Sequence, residues 1–274
     1  MKRSVAWHVA GLVLICMMLA ACGKRQVLVP SMEPPPPETG WIERTVGEED
    51  LKQAEAMDPD LTPAVCKQIL ARLNSVDKRY IAESMKKGKK LKVPRDFRAY
   101  KDWTPLPLRI DEVDDLDRFI LVVKDIPFLG WYANGKLIDD TQICIGKKPT
   151  WTKAGLYQVT QKDIDHISSS YQNAYGTPAL MPFALQIYGR VWIHGGDVIG
   201  GYCSHGCINL PLDPSQKLFE WAECGTTVLI VESIGNMGQM LKKHEKALAL
   251  STPPAEGARK PKRKKLKDKA GSSV

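Results

Sequence analysis

The 274-residue chain contains no internal repeat, no phosphate-binding loop and no dinucleotide-binding glycine fingerprint. Solenoids, P-loop nucleotide hydrolases and Rossmann dehydrogenases are excluded with them. A surplus of one charge sign is missing from most of the chain as well. The formal net charge is +8, but residues 241–274 hold eleven Lys or Arg against three acids, so that tail carries +8 and the remainder sums to zero. The positive charge therefore describes a tail and not a nucleic-acid-binding face. Long apolar runs are absent beyond residue 21. What is present, a 43% hydrophobic composition over this length, excludes wholesale disorder and suits one ordinary domain with sizeable accessory segments.

The one long apolar stretch, Val5 to Ala21, follows Lys2-Arg3 and ends in Leu19-Ala20-Ala21-Cys22. A basic start, an apolar middle and small residues at the end make an export signal over residues 1–21, and the run is short for a membrane span. Leu19-Ala20-Ala21-Cys22 resembles the lipobox of bacterial lipoproteins. That resemblance makes Cys22 the acylated first residue of the mature chain and the membrane a partner, several acyl chains being enough for stable attachment. Gly23, where an Asp would retain such a protein at the inner membrane, points to an outer membrane facing the periplasm. An exported chain leaves nucleic acid without an opportunity to bind, and Arg259-Lys260-Pro261-Lys262-Arg263-Lys264-Lys265 reads as a solvated basic tail, over 234–274, able to touch anionic lipid or glycan.

Residues 22–46 include Pro34-Pro35-Pro36-Pro37 and lack hydrophobic periodicity, so they read as a tether. Fully extended it spans about 70 Å. From Thr62, an N-cap with Pro63 at the first helical position, apolar residues at Val65, Ile69, Leu70, Leu73, Val76, Tyr80 and Ile81 have helical spacing up to a cap at Gly88. This predicts a helical accessory region over 47–110 that buries its stripe against the next domain.

Short apolar runs follow: Phe119 to Val123, Gly130 to Ala133, Thr141 to Ile145, Leu156 to Val159, Phe183 to Ile187, Val191 to Ile193 and Thr227 to Val231. Punctuated by Asn134-Gly135, Gly146 and Gly189, they predict strands. One helix interrupts them, with Asp213 as N-cap, Pro214 at its first position and Gly225 past its end. The fold class expected is mainly β with α, in a domain over 116–233.

Without Cys16 in the leader and Cys22 at the anchor, Cys66, Cys144, Cys203, Cys207 and Cys224 remain. Five is odd, so at least one thiol stays unpaired in an oxidising compartment. Residues 194–209 hold two His, two Cys and five Gly in sixteen positions. Cysteine and histidine together supply a nucleophile and the base that activates it, since a free thiol of pKa ~8.5 is little ionised at neutral pH. His205 and His194 are both candidates for that base, and spacing does not choose between them. Gly206, lacking a side chain, allows the N–H groups of His205, Gly206 and Cys207 to converge as an oxyanion hole. Two other uses of these residues stay open: a zinc set from Cys203, His205, Cys207 and His194, and a disulfide from Cys203 to Cys207, Cys144 or Cys224.

His194-Gly195 followed by Ser204-His205-Gly206-Cys207-Ile208-Asn209 resembles the active-site signature of L,D-transpeptidases of the YkuD type. Gly146 to Tyr157 and Met181-Pro182-Phe183 are similar to segments that precede it, and the likeness runs from about Leu116 to Glu232. It implies a mixed β-sandwich with a helix at its side, Cys207 as nucleophile, His194 as general base, and the Gly195 carbonyl orienting the imidazole. Ser204 and His205 then support the site, Tyr202, Asn209 and Gly196 face the substrate, and no metal or cofactor is required. The substrates implied are peptidoglycan stem peptides, the acyl group passing to an amine or to water. Only nine residues separate His194 from Ser204, a short loop at the substrate entrance.

Overall fold

The computed structural model describes residues 40–173 and 175–251. The expected export signal, Cys22, most of the tether and the basic stretch 259–269 lie outside the described residues. In chain order the elements are β1 (Trp41–Arg44), α1 (Glu48–Met57), α2 (Pro63–Leu73), α3 (Lys78–Lys86), β2 (Leu91–Pro94), β3 (Phe119–Val123), β4 (Phe128–Ala133), β5 (Lys136–Gln142) and β6 (Ile145–Gly146). There follow β7 (Gly155–Gln158), β8 (Gln161–Gln172), β9 (Pro178–Tyr188), β10 (Val191–Gly195), β11 (Tyr202–Ser204), β12 (Ile208–Leu210), α4 (Leu212–Trp221), β13 (Thr227–Val231) and α5 (Ile234–Ser251).

In the β-rich domain β6 pairs with β11, and the two larger sheets are ordered β5-β4-β3-β13-β7 and β12-β10-β9-β8. Both are mixed, β13 running parallel to β3 and β12 parallel to β10. Between them Ile120, Val122, Leu129, Trp131, Val228 and Ile230 meet Leu185, Ile187, Ile193, Ile208 and Leu210 in one buried core. The continuous apolar sequences of β3 and β13 have a physical reason. Their other faces, Phe119, Leu121, Val123, Leu229 and Val231, are also buried, beneath Ile234, Met237, Leu241 and Leu248 of α5. A strand covered on both sides has no polar face to show, and each such side chain contributes about 1.5–3 kcal/mol.

That helix corrects the reading of 234–274 as a tail. Ile234, Met237, Leu241 and Leu248 fall on one helical face, and burying them on the sheet outweighs the basic character around them. Three further boundaries differ from expectation. The tether ends before β1, whose pairing with β2 closes the helical region. The single helix expected from Thr62 to Gly88 is two, because Asn74 turns its side chain to Leu70 O and to both backbone groups of Lys92, and Ser75 takes φ +51°. α4 begins at Leu212, ahead of the expected Asp213 cap, with Pro214 in its first turn. The polar strand β8 has no apolar run to reveal it.

The helical region has a core of its own, with Leu51, Ala54, Cys66, Leu70, Ile81 and Val93 all nearly or fully buried. It docks through polar groups more than through the expected stripe. Arg72 of α2 grips both carboxylate oxygens of Asp140 at 2.8 and 2.9 Å and reaches Trp103 O at 2.9 Å, while Thr104 Oγ1 donates to the same carboxylate at 2.6 Å. Gln142 donates to Val76 O at 2.9 Å.

Candidate active site

Strand alternation on the four-stranded sheet positions the chemistry. In the parallel β10–β12 ladder Ile193 faces Ile208 and His194 faces Asn209. Ile193, Ile208 and Leu210 point into the core between the sheets, so the alternating residues Trp192, His194, Cys207 and Asn209 share the outer face. A motif that reads as a string in sequence thus becomes one side of a cavity.

This cavity, of about 470 Å³, is lined by His194, Gly196, Asp197, Cys203, Ser204, His205, Cys207 and Asn209, together with Ser168, Tyr171 and Met181 from β8 and β9. His194 is 6% exposed and donates from Nδ1 to the Gly195 carbonyl at 2.8 Å, which leaves Nε2 with its lone pair. Burial pushes the imidazole down to about 4, so it is neutral at pH 7. Cys207 is half-buried against Met181, Ala184 and Trp192. Burial pushes its thiol up, opposed by the Trp192 backbone hydrogen bond. The resting pair is therefore neutral thiol and neutral imidazole, and the thiol points toward Arg190 O at 3.8 Å.

The cysteine alternatives resolve on geometry. Cys144 and Cys203 form a disulfide, with Cys66, Cys207 and Cys224 free. The pairing spares Cys207 and removes Cys203 from any zinc set. The bridge ties the strand entering the motif to the segment after β5, where Cys144 also pairs with Asn209 through both backbone groups, at 2.8 and 2.9 Å.

The turn Ser204–Cys207 is held from inside. Ser204 Oγ donates to Cys207 O at 2.6 Å and accepts from Gly206 N–H at 3.0 Å. That second bond corrects the oxyanion expectation, since the Gly206 donor is already engaged and is not available to a substrate oxygen. Gly206 has φ +132°, and a side chain there would press on the Trp151 carbonyl at 3.1 Å. Thr152 Oγ1 closes the arrangement, donating to Gly206 O at 2.8 Å and accepting from Gly146 N–H at 2.9 Å.

His205 lies between two aromatic rings, Trp151 at 5.4 Å and Tyr171 at 4.4 Å between centroids. Asn209 and Gly196 line the cavity, and Asn209 Nδ2 also donates to Asp197 O at 3.2 Å. Tyr202 does not line it: its hydroxyl donates to Lys124 O at 2.8 Å, and the β6–β11 register shifts between Tyr202 and Ser204, so two residues that a regular strand would put on one face are separated. The short entrance loop is braced by the helical region, Asp77 N–H donating to Val198 O at 2.8 Å and Arg79 pairing with Asp197, with Val198 fully buried.

A second cavity, of about 370 Å³, also reaches Cys207 and is lined by His166, Ser168, Tyr171, Gln186, Arg190 and Trp192. Sequence reasoning missed His166, Ser168 and Tyr171 because β8 lacks a periodic signal. A larger cleft of about 550 Å³, beside Arg72 and Asp140, contains no cysteine or histidine.

Residues 117–230 match the family model described as the L,D-transpeptidase catalytic domain, YkuD. Over those residues the chain is similar to an L,D-transpeptidase catalytic domain, and the helical region and α5 lie on either side of the matched stretch. Among solved structures, it is similar to an L,D-transpeptidase (Yku) from Stackebrandtia nassauensis at 23% identity, over 43% of this chain and 58% of that one, with a TM-score of 0.38. An L,D-transpeptidase from Mycobacterium smegmatis matches at 17% identity over 42% and 58%, TM-score 0.37. The Ldtfm-avibactam carbamoyl enzyme matches at 33% identity over 43% and 49%, TM-score 0.38. The chain spans about half to three fifths of the length of these structures. No curated protein matches it.

Proposed function

We propose that this domain acts on peptidoglycan stem tetrapeptides through a thioester on Cys207. The observation that carries the reading is a free thiol and a neutral, oriented imidazole lining one cavity, beside a disulfide that takes both neighbouring cysteines out of competition. Cys207 Sγ attacks the carbonyl between the diamino acid at position three and the terminal D-alanine. His194 Nε2 takes the thiol proton and passes it to the departing D-alanine amine. The His205 and Cys207 N–H groups serve the developing oxyanion. An amine of a second stem or of a protein lysine then collects the acyl group, giving a 3-to-3 crosslink or a wall-bound protein.

Disaccharide tetrapeptide incubated with the protein is expected to release D-alanine and to accumulate dimers, read by mass spectrometry. Tripeptide alone would make the domain a hydrolase using the same thioester, and no D-alanine release would overturn the reading. We further propose that the domain works from a lipid on Cys22. Cys22→Ala is expected to move the protein out of the membrane fraction, and unchanged fractionation would remove the anchor.

A further inference from the structure

Three histidines, not two, surround the thiol. His194 lines one cavity at Cys207 and His166 lines the other, while Ser168, Tyr171, Met181, His205 and Cys207 belong to both. Cys207 therefore sits where two chambers meet, with a different imidazole in each. His166 lies on β8, opposite Met181 of β9. Its ring stacks on Trp192 at 4.0 Å between centroids and 25° between planes, and Trp192 packs in turn in the apolar cluster that holds Cys207. Its Nδ1 is 2.9 Å from Asp163 Oδ2. Residues three apart in a regular strand point to opposite faces. Here the ladder omits Ile164 opposite Phe183, whose backbone is left-handed at φ +56°, and Asp163 and His166 nevertheless meet.

We propose that the Asp163–His166 pair is the base for the acyl acceptor, deprotonating the amine that attacks the thioester from the second cavity. The proposal rests on the thioester reading above and deepens it. With Nδ1–H given to the carboxylate, Nε2 carries the lone pair, and Asp163 stabilises the imidazolium that forms. The amine nitrogen bonds to the thioester carbonyl carbon, the C–S bond breaks with its electron pair left on Cys207 Sγ, and the amine proton goes to His166 Nε2 and from there to water. An acceptor amine with an ordinary pKa of ~10.4 arrives mostly as ammonium, so it gives one proton to solvent before attack and the second to His166 Nε2 as the C–N bond forms. His194 lines the first cavity and not the second, so an amine arriving through the second meets His166 instead. His166 has a partly exposed side chain and a carboxylate partner. The charged or titratable groups that face it are Asp163 on its own strand, Arg190 between β9 and β10, His194 on β10, Tyr171, and His205 and Cys207 on the motif turn; β9 lines the cavity with Met181 and Gln186, neither of which titrates.

The test follows each step separately in His166→Gln and Asp163→Asn, with disaccharide tetrapeptide as both donor and acceptor. D-alanine release in the first turnover is expected to change by no more than about twofold, while dimer formation falls by roughly tenfold to a hundredfold at neutral pH in His166→Gln and by less in Asp163→Asn. The dimer-to-tripeptide ratio should recover as pH approaches the amine's own pKa. An unchanged ratio in both variants, or a first-turnover loss as large as the dimer loss, would overturn the proposal. Should the unaltered protein form the thioester and yield tripeptide only, the proposal fails while the thioester stands. If it forms no thioester, the earlier reading fails and takes this one with it.

Discussion

Cys207→Ser is expected to lower D-alanine release by about 10⁴-fold or more, with no covalent adduct on the intact protein. The fold should survive, since Cys207 is only half-buried and the disulfide uses other sulfurs. The pH dependence of the parent follows from the same pair. Burial pushes the thiol up and pushes His194 down to about 4, so neither group is charged near neutrality. With His194 Nε2 taking the proton from the neutral thiol, acylation should be nearly flat from about pH 5 to the ordinary thiol range of ~8.5 and rise further only where the thiol ionises by itself. His194 loses its lone pair only as pH falls toward about 4, so it imposes no acid limb between pH 5 and 7. Single-turnover acylation followed by mass spectrometry reads this directly. A rate that climbs about tenfold per pH unit throughout pH 5 to 8 would mean that the thiol ionises before attack and would contradict the proton transfer to His194.

Asp140→Ala should cost about 3–5 kcal/mol, because it strands Arg72 without its carboxylate in a buried position. The side chains of Arg72 and Asp140 are 16% and 9% exposed. Burial pushes the Asp140 carboxyl up even with the guanidinium beside it, a sign that desolvation weighs heavily on this pair. Replacing both residues with leucine should therefore cost much less than Asp140→Ala alone, since neither charge is then left unpaired. Urea denaturation of the three proteins decides the matter, and equal losses in the single and double variants would show that the interface depends on the ion pair itself. The helical region braces the entrance loop through Asp77 and Arg79, so the same variants should also report on how far that loop depends on docking.

Legibility varied with how local the encoding is. β3 and β13 were readable residue for residue because a strand buried on both faces must be apolar throughout. Asn134-Gly135 marked a tight hairpin because both residues adopt positive φ, at +48° and +72°. β8 was invisible: Gln161 to Gln172 is largely exposed, and its strand state comes from pairing with β9, not from its own composition. α5 was hidden by basic neighbours that matter less than the four residues it buries. The oxyanion expectation at Gly206 came from a sound rule about glycine, but the rule carries no information on whether a nearby hydroxyl claims the N–H first.

By itself the sequence determined the chemical groups on offer: a thiol at Cys207, imidazoles at His194 and His205, a glycine where only glycine fits, and a domain of short strands around them. These are local properties of side chain and backbone, and they survive in a one-dimensional string. Tertiary structure alone decided that Cys144 takes Cys203 and leaves Cys207 free, that Tyr202 faces away, and that a third histidine from a strand forty residues upstream stands at the thiol. Those outcomes depend on the register between strands distant in sequence, which is set by how two sheets and three helical faces bury their apolar sides together.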